Sequence, residues 1–321
     1  MGTVVALAGQ VGGARLAEGL YRLRGKSLAV IVNTGDDHEH LKLAFSPDLD
    51  TMLYTLAGIA STSAGWEVEG EMRSVQSMLR MLGGGDRRQL GDKSLAAPLL
   101  RTDGLAADRR LTEITLGFCR SLGVSARILP MSDDPVRTYV QTEHGEVSFH
   151  EYFYQLGCEP RVRGFHYAGA DIARLSDEVL EALHAPDLES IVICPANPYH
   201  SIRPILAVNG MRELLRRRQD VPVIAVTPIV GGKALRGSAG KMMRELGREP
   251  SARGAAAEYL KLIDGFVLDR EDLALSESIR SLGMDVLTTQ TVMRNGDDRL
   301  SLARAVLEFA RKLREAKALQ R

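Results

Sequence analysis

The sequence predicts an α/β protein: a doubly wound, mostly parallel sheet with an inserted helical part. Three observations carry that expectation. Residues 3–8 form a short apolar run that passes through Gly9-Gln-Val-Gly-Gly13 into residues 14–24, where Leu16, Leu20 and Leu23 share one side. Strand, glycine turn and helix in that order open a doubly wound sheet. Apolar runs of strand length then recur at 28–33, 124–129, 191–194, 221–227, 265–268 and 285–288. Turn-rich segments follow three of the strands: the Gly9 turn, Pro195-Ala-Asn-Pro-Tyr-His-Ser201 and Thr227-Pro-Ile-Val-Gly-Gly232. In open α/β sheets ligands sit outside the carboxyl ends of strands, where these loops belong.

Taken in order, the first glycine turn aims backbone N–H groups and a helix N-terminus at an anion such as a phosphate. It carries neither the Gly-Lys-Ser/Thr of a Walker loop nor G-x-G-x-x-G, and a plain tight turn is the alternative reading. The second strand ends in Asn33-Thr34-Gly35, and Asp36-Asp37-His38-Glu39-His40 follows. That loop suits a divalent cation or is simply a solvated run of charges.

Next comes Ser46-Pro-Asp-Leu-Asp-Thr51. Pro47 favours the first turn of a helix, Ser46 is placed to cap it, and Leu49, Met52, Leu53 and Leu56 mark a buried face. Asp48 and Asp50 fall in the first turn, where the helix dipole stabilises carboxylates. Two residues apart, they point in different directions. One is free to serve the helix end while the other faces a ligand or metal; an ordinary acidic first turn is the bland reading.

A helix is expected over 66–82 with Met72, Val75, Met78, Leu79 and Leu82 as its buried stripe, ended by Gly83-Gly84-Gly85. Another is expected over 109–122, so that 66–122 reads as the helical insertion, covering one end of the sheet. Residues 137–141 and 146–150 alternate around Glu143-His144-Gly145 as a β-hairpin. Helices are expected at 176–183 and 211–217, and a charged one from 300 to about 317 closes the chain. With no internal repeat or linker, residues 1–321 read as one domain.

Composition narrows the function classes. Lysine plus arginine equal aspartate plus glutamate at 41 each, so no global charge points to nucleic acid. Arg216-Arg217-Arg218 reads as a helix end. No apolar run is long enough to span a bilayer, and residues 3–8 lack the basic leader of a signal peptide. Cys119, Cys158 and Cys194 form no C-x-x-C pair and read as free thiols of a cytoplasmic protein.

With the loops laid out, the chain resembles the 2-phospho-L-lactate transferase family (CofD, FbiA) of coenzyme F-420 biosynthesis. The matching segments are Gly9-Gln-Val-Gly-Gly13, Asn33-Thr-Gly-Asp-Asp37, Ser46-Pro-Asp-Leu-Asp-Thr51, Leu90-Gly-Asp-Lys93 and Leu129-Pro-Met-Ser-Asp-Asp134. They continue with Thr138-Tyr-Val-Gln-Thr142, Asn197-Pro198 with Ser201-Ile202, Thr227-Pro-Ile-Val-Gly-Gly232 and Gly237-Ser-Ala-Gly-Lys241. The resemblance implies a Rossmann-like, CofD-like fold and a Mg²⁺-dependent transferase, with a homodimer as its assembly. Its donor is a guanosine-diphosphate-activated three-carbon acid, its acceptor the deazaflavin Fo, and its by-product GMP.

Carried over by position, the resemblance assigns Asp50, Thr51 and Lys93 to the deazaflavin. Gly9, Gly12, Gly13, Asn33, Asn197 and Ser201 are assigned to the nucleotide. Asp48 and Asp50 supply the hard oxygen ligands that suit Mg²⁺, and Asp50 either binds metal or orients the attacking hydroxyl. Three departures bear on the donor. Gln10 and Val11 stand where the family has a threonine between glycine pairs, Lys93 replaces an arginine, and Arg236-Gly237-Ser238 replaces Lys-Gly-Pro. Phospholactate, phosphoenolpyruvate and phosphoglycerate donors all occur in the family.

Three other readings fit the sequence less well. YvcK-type nucleotide-sugar-binding regulators share the early strands but carry a glycine- and serine-rich stretch where this chain has SPDLDT. An NAD(P) oxidoreductase is opposed by the missing G-x-G-x-x-G and by Asn33 at the strand end. A metal hydrolase using His38 and His40 lacks any H-E-x-x-H spacing.

Overall fold

The computed structural model describes residues 2–84, 90–234 and 237–319. Its centre is a sheet of seven strands: β1 (Thr3–Ala8), β2 (Leu28–Val32), β3 (Arg127–Pro130), β4 (Leu188–Ile193), β5 (Val223–Val226), β6 (Gly265–Asp269) and β7 (Asp285–Thr289). They lie in the order β7-β6-β5-β4-β1-β2-β3, and every pair is parallel. All seven coincide with predicted apolar runs, shifted by a few residues at most. Strands covered on both faces need no polar alternation, which is why continuous apolar runs betray them. Within β1, Val5 and Leu7 enter the core on one face while Val4, Ala6 and Ala8 enter the other.

The chain winds outward from β1 to β3, then returns beside β1 and winds the other way from β4 to β7. The switch point therefore lies between β1 and β4, and their carboxyl ends open the crevice expected to hold ligand.

Helix α1 (Gln10–Arg24) begins four residues earlier than the apolar pattern indicated, so the paired glycines sit in its first turn. Close approach explains one of them. A Cβ on Gly12 would stand 2.5 Å from the Pro195 carbonyl oxygen, in the loop after β4. Gly12→Ala should therefore destabilise the fold by about 1–3 kcal/mol through overpacking, measurable by chemical denaturation.

Helix α2 (Pro47–Leu56) is confirmed with Pro47 at its first position, but the Ser46 hydroxyl does not cap it. That hydroxyl donates instead to Asp37 Oδ2 at 2.8 Å. The acidic loop before it is solvated only in part: Asp36 and Asp37 are buried, whereas Glu39 is exposed on a short hairpin that pairs His38–His40 with Leu43–Phe45.

The block from 66 to 122 departs most from expectation. Instead of one long helix there is α3 (Ser74–Met81), two turns long, with α4 (Ala96–Ala106) and α5 (Leu111–Ser121) after it. Met72, Val75, Met78 and Leu82 are exposed, and Gln76 is the buried residue of α3. Polar anchors set that orientation: Asp92 accepts hydrogen bonds from Ser74 N and Val75 N at the helix start. Gly85, the last residue of the predicted stop, lies outside the described residues, as does Arg236.

Helix α4 escaped prediction because Pro98 and Gly104 interrupt its sequence. Pro98 falls in the first turn, where a missing N–H costs nothing. Gly104 lets α4 press on α5: a Cβ there would meet Ile114 Cδ1 at 2.8 Å.

The predicted hairpin is present as Arg137–Thr142 paired with Gly145–Ser148, and Val162–Ala168 adds a third strand. Its register slips between Gln141 and Thr142, so Val162 and Phe165 both reach the core despite their odd spacing. The later helices Asp177–His184, Met211–Arg217 and Gly296–Leu319 lie where the pattern put them.

Candidate active site

A cavity of about 590 Å³ opens at the carboxyl ends of the strands. The switch point divides its lining into two chemistries. From the β4–β7 half of the sheet and the start of α1 come Gln10, Gly12, Arg15, Asn197, Thr227 and Thr291. From segments that follow β2 and β3 come Phe45, Tyr54, Trp66, Phe149, Phe153 and Tyr154. The first set brings polar side chains among apolar neighbours, and the second brings every Phe, Tyr and Trp of the lining together with Asp36, Asp48, Asp50 and Thr51. The aromatic side is ordered by stacking, with Phe149 4.1 Å from the ring of His200 and 5.8 Å from that of Phe153.

The two aspartates of α2 do diverge, with consequences the spacing did not reveal. Asp48 reaches back to the glycine turn, where Oδ1 accepts from Gln10 N and Oδ2 from Asn33 Nδ2, both at 2.9 Å. Gln10 takes φ of 55°, a left-handed conformation costly for a side-chain-bearing residue, and thereby points its N–H at that carboxylate. Gly9 leaves room for the approach, since a Cβ would lie 2.6 Å from Asp48 Oδ2 and 2.9 Å from Ser201 Cβ.

Asp36 stands beside Asp48. Its Oδ2 lies 3.3 Å from His200 Nδ1, and its Oδ1 is buried with no hydrogen-bond partner among the described residues. Burial pushes the Asp48 carboxyl up to about 7, with the Asp36 charge adding to the shift and the Asn33 and Gln10 donors opposing it. Burial likewise raises Asp36 well above the ordinary carboxylate range, and holds His200 down at about 4. A neutral imidazole leaves the two acids without a cationic partner there.

Asp50 belongs to a different cluster. Both its oxygens are engaged by the guanidinium of Arg101 on α4, through Nη1 at 3.3 Å and through Nη2. Arg101 is 1% exposed and also donates to the Ala44 carbonyl at 3.1 Å. Burial opposes its charge, and Asp50, Asp37 and Tyr54 outweigh that effect. Asp37, under the same arginine, is pushed up to about 7 by burial, with Arg137, Ser46 and Arg101 pulling the other way.

The other predicted site residues separate into cavity wall and support. Thr51, Gly12 and Asn197 line the cavity with Asp48 and Asp50. Asn33 is a brace behind it: Nδ2 donates to Asp48 and to the His200 carbonyl, and Oδ1 accepts from Gly35 N at 2.8 Å. Ser201 packs against Gly9, and Gly13 lies 3.2 Å from Ala8 Cβ by its built Cβ. Asn197 uses Oδ1 to accept from Tyr199 N at 2.9 Å. Lys93 is exposed, and its amine donates to the Glu69 carbonyl at 2.7 Å, while its neighbours Gly91, Ser94 and Leu95 line the cavity. Of the residues gathered here, Asp36 belongs to the loop whose sequence suits a divalent cation, whereas nothing in the sequence singles out His200 or Arg101.

The donor set can be tested for a metal on these contacts. Asp36 Oδ1 and the remaining lone pairs of Asp48 make a small, buried carboxyl patch on the wall, which when ionised fits a hard divalent cation. Asp50 does not share it, because its oxygens face Arg101. Among the described residues no three His, Cys, Asp or Glu side chains are placed to hold a metal ion together, so most ligands would be water and substrate oxygens, the habit of Mg²⁺. No helix among the described residues is long and apolar enough to cross a membrane.

Comparison with known proteins agrees with this architecture. A Bacillus halodurans protein of the UPF0052 family shares the fold at a TM-score of 0.61 and 17% identity, covering 95% of this chain and 98% of that one. A 2-phospho-L-lactate transferase of Methanopyrus kandleri is 36% identical over 319 residues, 97% of this chain and 98% of its own. A phosphoenolpyruvate transferase of Streptomyces griseus is 36% identical over 318 residues, 97% of this chain and 99% of its own. The profile described as 2-phospho-L-lactate transferase CofD matches residues 4–292, and the chain belongs to that family of transferases.

Proposed function

We propose that this enzyme transfers a phospho-three-carbon-acid unit from a guanosine-diphosphate-linked donor to the deazaflavin Fo in coenzyme F-420 biosynthesis. The observation that carries the reading is the divided cavity of a CofD-family chain. Its aromatic half suits a planar deazaflavin, and its polar half, at the glycine turn and the β4 loop, suits a nucleotide diphosphate. The terminal ribityl hydroxyl attacks the phosphorus that bears the acid. One P–O bond forms, the bridging P–O bond to GMP breaks, and the hydroxyl proton is released.

The residues divide the work. Gly12, in the first turn of α1, faces the diphosphate, with Asn197 beside the nucleotide. Asp50 and Thr51 face the acceptor, with the Asp50 carboxylate orienting it. Asp48 and Asp36 would hold Mg²⁺, with Asn33 and His200 fixing their orientation, and the ion would supply neutralisation of phosphate charge. The reading includes a homodimer in the cytoplasm, and sedimentation velocity reads the assembly.

The donor acid is a separate question, since relatives named for lactate and for enolpyruvate are both 36% identical. The test is turnover of Fo with Mg²⁺ and three donors, carrying lactate, enolpyruvate or glycerate, with products read by mass. One Fo-phosphoacid together with GMP supports the reading and names the donor. No product from any donor with folded protein overturns it in favour of a nucleotide-binding regulator.

Lys93 is the peripheral member of the acceptor site, acting through the segment 90–95 that its neighbours contribute. Lys93→Ala should raise KM for Fo several-fold and leave that for the donor unchanged. Unaltered Fo kinetics remove Lys93 from the site.

A further inference from the structure

Arg101 comes from α4, in a stretch that carries no recognised motif, and yet its guanidinium is among the most deeply buried polar groups of the protein. Both Asp50 oxygens face it, the Ala44 carbonyl fixes it from a second side, and the Phe118 ring lies 5.9 Å from its Cζ. Ala44 is in the hairpin that leads into α2, so one guanidinium ties α4 to both the hairpin and the first turn of α2. Asp50 lines the cavity and Arg101 does not. The fork therefore holds a wall residue from outside the lining, using one lone pair on each oxygen and leaving the second of each.

The geometry points to Arg101 as a positioning residue for the acceptor: it sets the orientation of Asp50, through which alone it reaches Fo. This rests on the proposed reading of Asp50. A planar fork fixes a carboxylate in two bonds at once, which a lysine amine cannot reproduce. It also explains what the helical block contributes to the chemistry. An arginine held by α4 governs an acid held by α2, 51 residues earlier in the chain.

The experiment is a double-mutant cycle on the full chain, comparing wild type, Arg101→Lys, Asp50→Asn and the double variant. Two readouts are used: steady-state KM for each substrate, and Fo binding followed by the emission of Trp66. Trp66 is the sole tryptophan and lines the cavity. Arg101→Lys is expected to weaken Fo binding and raise KM for Fo about tenfold, with KM for the donor unchanged, because only acceptor orientation is lost. The double variant should bind Fo no more weakly than Asp50→Asn alone. Wild-type Fo affinity in Arg101→Lys overturns the inference, as do effects that multiply in the double variant or that strike both substrates equally. If Arg101→Lys fails to fold, Asp50→Asn/Arg101→Gln, a neutral hydrogen-bonded replacement for the ion pair, takes the place of the double. Fo affinity tenfold below that of Asp50→Asn then overturns the inference. Failure of the underlying reading is seen separately, as wild-type protein that neither binds nor converts Fo, and it removes the inference as well.

Discussion

Asp50→Asn should lower turnover of Fo at least about 100-fold, the scale of a reacting group displaced by about 1 Å. It should also lower the melting temperature by on the order of 10 °C. From sequence alone the substitution looks conservative for the fold, since it removes charge with little change of shape. The ion pair with Arg101 reverses that expectation. An amide leaves a buried guanidinium facing an N–H₂ group, and breaking a buried pair by removing one partner costs about 3–5 kcal/mol. In a chain of this size each kcal/mol moves the midpoint by roughly 2–4 °C. Turnover assays and thermal melts on the same preparation check both halves. Wild-type turnover would sink the assignment of Asp50. A wild-type midpoint with lost turnover would show that Asp37 carries the compensating charge.

Asp48→Asn should abolish Mg²⁺-stimulated turnover and change how stability responds to pH. The sign follows from the raised carboxyls. Asp48 and Asp37 are held near 7 in the folded chain against an ordinary value of 3.8, so the folded state binds protons that the unfolded state has already released. Their stabilising contribution is complete below about pH 4 and is lost as pH rises through about 7. Metal-free wild type should therefore lose melting temperature between pH 5 and pH 8 beyond what Asp48→Asn loses. Mg²⁺ added at pH 8 should restore wild type and not the variant, because binding to the folded state alone stabilises it. Parallel pH profiles for the two proteins, each unmoved by Mg²⁺, would refute the charged Asp36–Asp48 patch.

The sequence by itself determined the central sheet. The inner strands are apolar runs because both their faces are covered, a property that adjacent residues record, whereas β7 at the edge is only half-buried. It also located the ligand crevice, since Gly9, Pro195 and Thr227 follow strands whose carboxyl ends meet near one switch point. It named Asp48 and Asp50 and their divergence on α2. What it did not contain was the company they keep. Arg101 lies 51 residues beyond Asp50, and His200 lies 164 beyond Asp36. Such pairs are made when α4 and the β4 loop fold back on the sheet, and no local periodicity encodes them. The outward face of α3 and the bulged strand Val162–Ala168 were decided in the same way, by Asp92 at a helix start and by a register slip against Gln141. Secondary structure follows neighbours in the chain, whereas the charge state of a buried acid follows neighbours in space. Only the tertiary fold could therefore separate the two aspartates, giving one to the anionic wall beside Asp36 and the other to Arg101.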